Sequence, residues 1–212
     1  MKKRKTAVLI FIAVICCCTG VYAAAAPQSA GVMPDSLRQT LHAEQSIRDG
    51  MGDRDDKVVG YVSEEPVYEK DFLISYERAK YTGAEDPCDA AVESVKQQIL
   101  ERKYAEENGI CPSEEEILEY TKGQHDAVNA DPDSKAYVAA YCEEAGMTEE
   151  EYWSVYKPSD DEKYLIHLAV INDIYEKTGK RELDISGADF VLTDPSFSGE
   201  EIEKTAEQVS DK

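Results

Sequence analysis

Carboxylates are the commonest chemically capable groups in this chain, and they cluster at Glu114–Glu116, Glu149–Glu151 and Asp160–Glu162. Paired carboxylates can act as general acid and base or hold a hard cation. Each cluster, however, follows a hydroxyl residue at fixed spacing, as Ser113/Glu116, Thr148/Glu151 and Ser159/Glu162. That is the capping-box spacing, in which hydroxyl and carboxylate satisfy two backbone donors at a helix start. Negative charge in a first turn also complements the helix dipole. The three clusters are therefore expected to begin helices rather than to do chemistry. Asp131–Ser134 lacks the ligand spacing and glycine of an EF-hand loop. His42, His125 and His167 are scattered, and His167, inside an apolar run, is expected to be a hydrogen-bonded core histidine. Nucleophile elbows and phosphate-cradling glycine loops do not occur. No catalytic residue, metal site or cofactor is assigned, and the reading leans away from an enzyme.

The aromatic residues offer more. The chain has 13 tyrosines and one tryptophan, and Tyr137, Tyr141, Tyr152, Trp153 and Tyr156 fall close together. Such rings bury a large surface while keeping a polar edge that tolerates water, which suits a half-open groove for varied peptides. Most of the chain's aromatics are expected to pack the interfaces between short helices; these five are the expected substrate-binding residues, with Tyr152, Trp153 and Tyr156 foremost.

The elements that must position them follow from punctuation. Lys57–Phe72 carries the clearest β pattern: Val58, Val59, Tyr61 and Val62 as a strand, Ser63-Glu64-Glu65-Pro66 as a turn, and Val67-Tyr68 beginning the return. Asp86-Pro87 opens a helix and Asn108-Gly109 stops it. Asp131-Pro132 starts another, closed by Gly146. Lys163–Lys177 is apolar almost all round, which predicts a helix in the middle of a bundle. The expected fold is mainly α, a multi-helix domain over 57–178 with one small hairpin. A short strand within Leu183–Leu192 and a polar tail would follow over 179–212, with a brief amphipathic helix at Gly199–Val209 and a frayed end as equal alternatives.

Length and charge set the outer limits. The chain has 212 residues, 44 acidic against 23 basic, for a net charge of −21. This fits one domain with appendages and argues against nucleic-acid binding, because the phosphate backbone would be repelled. Four basic residues at Lys2–Lys5, the apolar run Ala7–Tyr22 and the small residues Ala23–Ala26 have the order of a secretory signal. An uncleaved membrane anchor and a lipid-modified cysteine among Cys16–Cys18 are alternatives, and all three export the chain. Residues 27–56, rich in Gly, Ser, Gln and Asp with one short helical pattern at Leu37, Leu41 and Ile47, are expected to be a flexible spacer. Beyond the signal segment Cys88, Cys111 and Cys142 are odd in number and widely spaced, so they are expected as free thiols packed like small hydrophobes, one bridge with a spare thiol being the alternative.

Three blocks of the chain resemble the SurA N-terminal and PrsA-like foldase families. The first is VVGYVSEEPVYEKDF, with its turn leading to Asp71-Phe72; the second is Ser94–Tyr120, with its Asn-Gly stop and Ser-Glu-Glu-Glu restart; the third is Glu143–Lys157. The Asn-Gly usual at the hairpin turn is Ser63-Glu64 here, and the 34 residues after Thr178 show no parvulin-like histidine and cysteine constellation. The resemblance implies the peptide-binding chaperone module without the isomerase domain. It implies an extracytoplasmic, ATP-independent chaperone whose partners are unfolded or nascent exported polypeptides, with a homodimer as one possible assembly. A catalytic prolyl isomerase and a cell-envelope adaptor with one fixed partner are the alternatives.

Overall fold

The structure, a computed structural model, describes residues 33–51 and 57–193. The expected export segment, the ends of the expected spacer and the tail beyond Thr193 lie outside the described residues.

Helix α1 spans Asp35–Met51. Strands β1 (Val58–Val62) and β2 (Glu65–Tyr68) form an antiparallel hairpin. Helix α2 (Glu69–Thr82) leaves the hairpin directly and ends at Gly83 in the left-handed conformation. Helix α3 runs Pro87–Asn108, α4 Glu114–Asn129 and α5 Pro132–Glu144. A single α turn, α6 (Glu149–Glu151), passes into a π turn at Tyr152–Tyr156 and then into α7 (Lys157–Thr178). Strand β3 (Phe190–Leu192) pairs antiparallel with β1, giving a three-stranded sheet in the order β2-β1-β3.

The helix starts are made as their side chains dictate. Asp86 accepts from the backbone of Cys88 and Asp89 ahead of α3, and Asp131 does the same for Ser134 ahead of α5. Complete capping boxes form at Ser113/Glu116 and Thr148/Glu151. The third expected box does not form. Ser159 lies inside α7, because the chain stays helical from Glu149 to Thr178. Pro158 has no N–H to donate and would disrupt a regular α ladder here. One wider turn, in which Lys157 N–H bonds to the carbonyl of Tyr152, carries the helix through.

Three further expectations need correction. The stretch read as spacer contains α1, which buries Leu41, Ala43 and Ile47 in the core, with Met33 buried just before it. Its polar side also clasps neighbours: Glu44, 2% exposed, accepts from Arg78 Nε at 2.6 Å and Nη2 at 3.2 Å. At its other end His42 and Arg38 reach Glu144 of α5 at 2.6 and 2.7 Å. The boundary at 178 also fails as a division, since Phe190–Leu192 completes the sheet and Phe190 stacks on Phe72 at 6.0 Å. Gly60 permits that docking, because a Cβ there would sit 2.9 Å from the Phe190 ring. Finally, Glu65 and Pro66 belong to β2 rather than to the turn, with proline tolerated because β2 is an edge strand.

The core comes in three clusters. One joins the sheet to α2 and α3 around Val59, Val62, Phe72, Leu73 and Val95. A second joins α1, α4, α5 and the π turn around Leu41, Val128, Val138, Tyr141 and Tyr152. The third joins α3 to α7 through Ala105, Ile166, Val170 and Ile174.

The hairpin turn is two residues long, with both Ser63 (φ 48°) and Glu64 (φ 75°) in the left-handed region. Side chains with a Cβ lose about 1–2 kcal/mol per residue there, whereas Asn-Gly fits it well. Replacing Ser63→Asn and Glu64→Gly together should raise stability by about 1–2 kcal/mol in thermal or urea unfolding. An unchanged midpoint would contradict this account of the turn.

Candidate functional site

The five aromatic residues singled out in sequence do assemble, but into a closed cluster. The rings of Tyr141 and Tyr152 lie 5.5 Å apart, Tyr152 stacks on Tyr156 at 5.8 Å, and Trp153 meets Tyr152 edge-on at 4.9 Å. Tyr141 Oη donates to Tyr156 Oη at 2.8 Å. Tyr141 and Tyr152 are buried at 5% and 4% exposure, while Tyr137, Trp153 and Tyr156 pack half-buried against the same cluster. Burial pushes the phenols of Tyr141 and Tyr152 well above the ordinary tyrosine value, so both stay neutral. Met33 and Leu41, on and just before α1, share this cluster. The segment expected to be a spacer is thus part of the shell around the rings expected to be open.

An apolar recess is open elsewhere. Between the α3–α4 connection, α4 and α7 runs a groove of about 910 Å³. Its walls are Ile110, Cys111 and Pro112 from the connection, Tyr120, Gly123 and Ala127 from α4, and Leu165, Leu168 and Ala169 from α7. Glu116 and Glu119 stand on the α4 side and Gln124 completes the lining. The helix that sequence places in the middle of a bundle therefore buries only one stripe, Ile166, Val170 and Ile174. Its neighbouring apolar side is left for the groove.

What holds the two walls is a buried polar network. Asp161, fully buried on α7, accepts from Thr121 Oγ1 at 2.7 Å and Gln124 Nε2 at 2.8 Å, both on α4. It also pairs with Lys157, one turn earlier on α7 and itself 2% exposed. Glu116, at the groove rim, is held below the usual carboxylate range by the Ser113 backbone N–H and hydroxyl. It is a charged group at neutral pH.

His167 behaves only partly as expected. It is hydrogen-bonded, Nδ1 to Glu101 Oε1 at 2.8 Å, but its side chain is 38% exposed while the carboxylate is the buried partner. The Glu101 bond raises the imidazole above its ordinary value against a smaller opposing effect of burial. A second, smaller recess of about 450 Å³ lies beside β2, with Glu65, Asp71, Glu101, Arg102 and Lys163 mixing charges around it. Of the three cysteines among the described residues, Cys142 is buried and its thiol is pushed up to about 11, Cys88 is half-buried, and Cys111 is exposed at the groove. The expectation of buried thiols thus holds for Cys142 and fails for Cys111.

The groove residues went unselected in sequence, although two signals pointed to them. One is the excess apolar face of Lys163–Lys177, wider than one packing stripe needs. The other is Gly123, a glycine inside a helical pattern. Among the described residues, no group of three or more His, Cys, Asp and Glu is placed to hold a metal ion. No helix among them is long and apolar enough to cross a membrane.

Replacing Asp161→Ala removes the nearest counter-charge of buried Lys157 and strips acceptors from two α4 donors, and should cost about 3–5 kcal/mol in unfolding experiments. A loss below about 1 kcal/mol would show that α4 and α7 are held by apolar contact alone. For His167, the raised folded value means that its bond to Glu101 stabilises fully below the ordinary 6.5. That contribution is lost as pH rises through the folded value. Stability of His167→Gln, compared with the parent, should therefore differ more at pH 6 than at pH 8; equal differences would contradict the pairing.

Comparison with known proteins finds no matching family model, no matching curated protein and no matching solved structure.

Proposed function

We propose that this protein is an exported, ATP-independent polypeptide-binding module of the chaperone or foldase kind, and that the α4–α7 groove is where it holds its clients. The observation that carries this reading is the uncovered apolar wall of α7, Leu165, Leu168 and Ala169, facing α4 across an open trough. A trough of this kind accepts side chains of many shapes, because apolar burial is non-directional. Burying one leucine-sized side chain is worth about 1.5–3 kcal/mol, so a few such contacts give binding that is reversible without a nucleotide. A client that folds buries the same groups more completely and leaves.

The order of the three SurA- and PrsA-like blocks supports the same reading, as does the signal-like start of the sequence. The aromatic cluster has a different part in it. With Tyr141 and Tyr152 buried beside Met33 and Leu41, it acts as scaffold beneath α1. The acidic surface keeps a loaded complex soluble.

The purified protein should slow the aggregation of a client enzyme diluted from guanidinium, without ATP, at a few-fold molar excess. Leu168→Gln, which makes the half-exposed α7 wall polar, should lose most of that effect while keeping a native circular-dichroism melt. Failure to slow aggregation of several clients of differing charge would overturn the proposal.

A further inference from the structure

We propose that the α4–α7 groove selects apolar segments flanked by lysine or arginine, and that the bound segment comes closest to α4 at Gly123. This deepens the polypeptide-binding reading and rests on it.

Two observations carry it. The first is the charge of the lining. Two carboxylates, Glu116 and Glu119, stand on the α4 wall, and among the described residues no lysine, arginine or histidine lines the groove. Glu114 and Glu115 are exposed beside Glu116 in the first turn of the same helix. The positive end of the α4 dipole is a fractional charge, and three carboxylates in the first turn outweigh it. Lys163, the nearby cation on α7, lines the other recess. A client with basic residues beside its apolar ones meets complementary charge at the rim, an acidic one meets repulsion, and the net charge of −21 acts in the same direction at longer range.

The second observation is Gly123. It sits inside α4, where glycine is a poor helix former, and its φ is not positive, so no backbone conformation demands it. A Cβ built there meets nothing within 4 Å. No contact within the described fold uses that space. An approaching chain can use it, because a missing side chain lets another backbone come close.

Cys111, exposed in the groove wall, supplies a built-in reporter. Three fluorescein-labelled peptides with one apolar centre and lysine, glutamate or serine flanks are titrated onto the exported protein at low salt. Alkylation of Cys111 by iodoacetamide is followed by mass spectrometry. The lysine-flanked peptide should bind about ten-fold more tightly than the glutamate-flanked one and protect Cys111, the gap closing in high salt. The double variant Glu116→Gln and Glu119→Gln should abolish the preference while keeping the helix cap, since glutamine also completes a capping box. Gly123→Trp should remove binding and protection for all three. If that variant does not fold, Leu168→Gln on the opposite wall takes its place.

Equal binding of all three peptides, with protection lost in Gly123→Trp, would overturn the charge selection and leave the polypeptide-binding reading standing. Absence of protection by any peptide would overturn both. Protection of Cys111 without peptide would assign the groove to a second copy if it depends on concentration, and to another segment of this chain if it does not. Either result would overturn the proposal.

Discussion

A carboxylate with no access to water must find a full set of donors inside the protein, and Asp161 finds its donors on two helices. Thr121 and Gln124 reach it from α4 and Lys157 from its own helix. Buried ion pairs contribute little net stability compared with well-packed apolar groups, but they are unforgiving of misplacement. Here the requirement fixes the rotation of α4 on α7. That rotation turns Ile166, Val170 and Ile174 toward α3 and leaves Leu165, Leu168 and Ala169 at the groove. The opening and its apolar wall are both consequences of where one buried charge must point.

A second polar device does the same work for α1. Glu44, almost without solvent access, is gripped by Arg78, while Arg38 and His42 tie α1 to Glu144. Burial alone would weaken the Arg78 cation, and the Glu44 carboxylate more than reverses it. These contacts lay α1 across α2 and α5, where Met33 and Leu41 join the tyrosine cluster. An open aromatic groove and a docked α1 exclude one another, and the docked arrangement is what forms. The open groove lies instead where no residue of α1 lines it.

Local chemistry accounts for the elements that sequence reading recovered. Capping by Asp86, Ser113, Asp131 and Thr148, and the stops at Gly109 and Gly146, depend on a few neighbouring residues and were readable as such. Where local signals misled, a competing local effect or a distant contact was responsible. Ser159/Glu162 has the spacing of a cap, yet the π turn ahead of Pro158 lets the helix continue and leaves no free end to cap. The helical pattern of Leu37, Leu41 and Ile47 is visible within residues 27–56 but its docking is not, because few apolar positions suffice when distant ion pairs secure the other side.

The sequence by itself determined the helical character, the hairpin, most of the helix limits and the absence of any familiar catalytic pattern, all of which rest on interactions within a few residues. Only the tertiary structure decided which apolar surface closes and which stays open. Leucine is the more apolar of the two residue types, yet the tyrosines close and the α7 leucines stay half-open, an outcome that nothing in their spacing foretells. The difference lies in what packs against them, α1 in one case and only the far wall of a groove in the other. That outcome is set by buried charges such as Glu44 and Asp161, whose partners lie some 34 to 40 residues away along the chain.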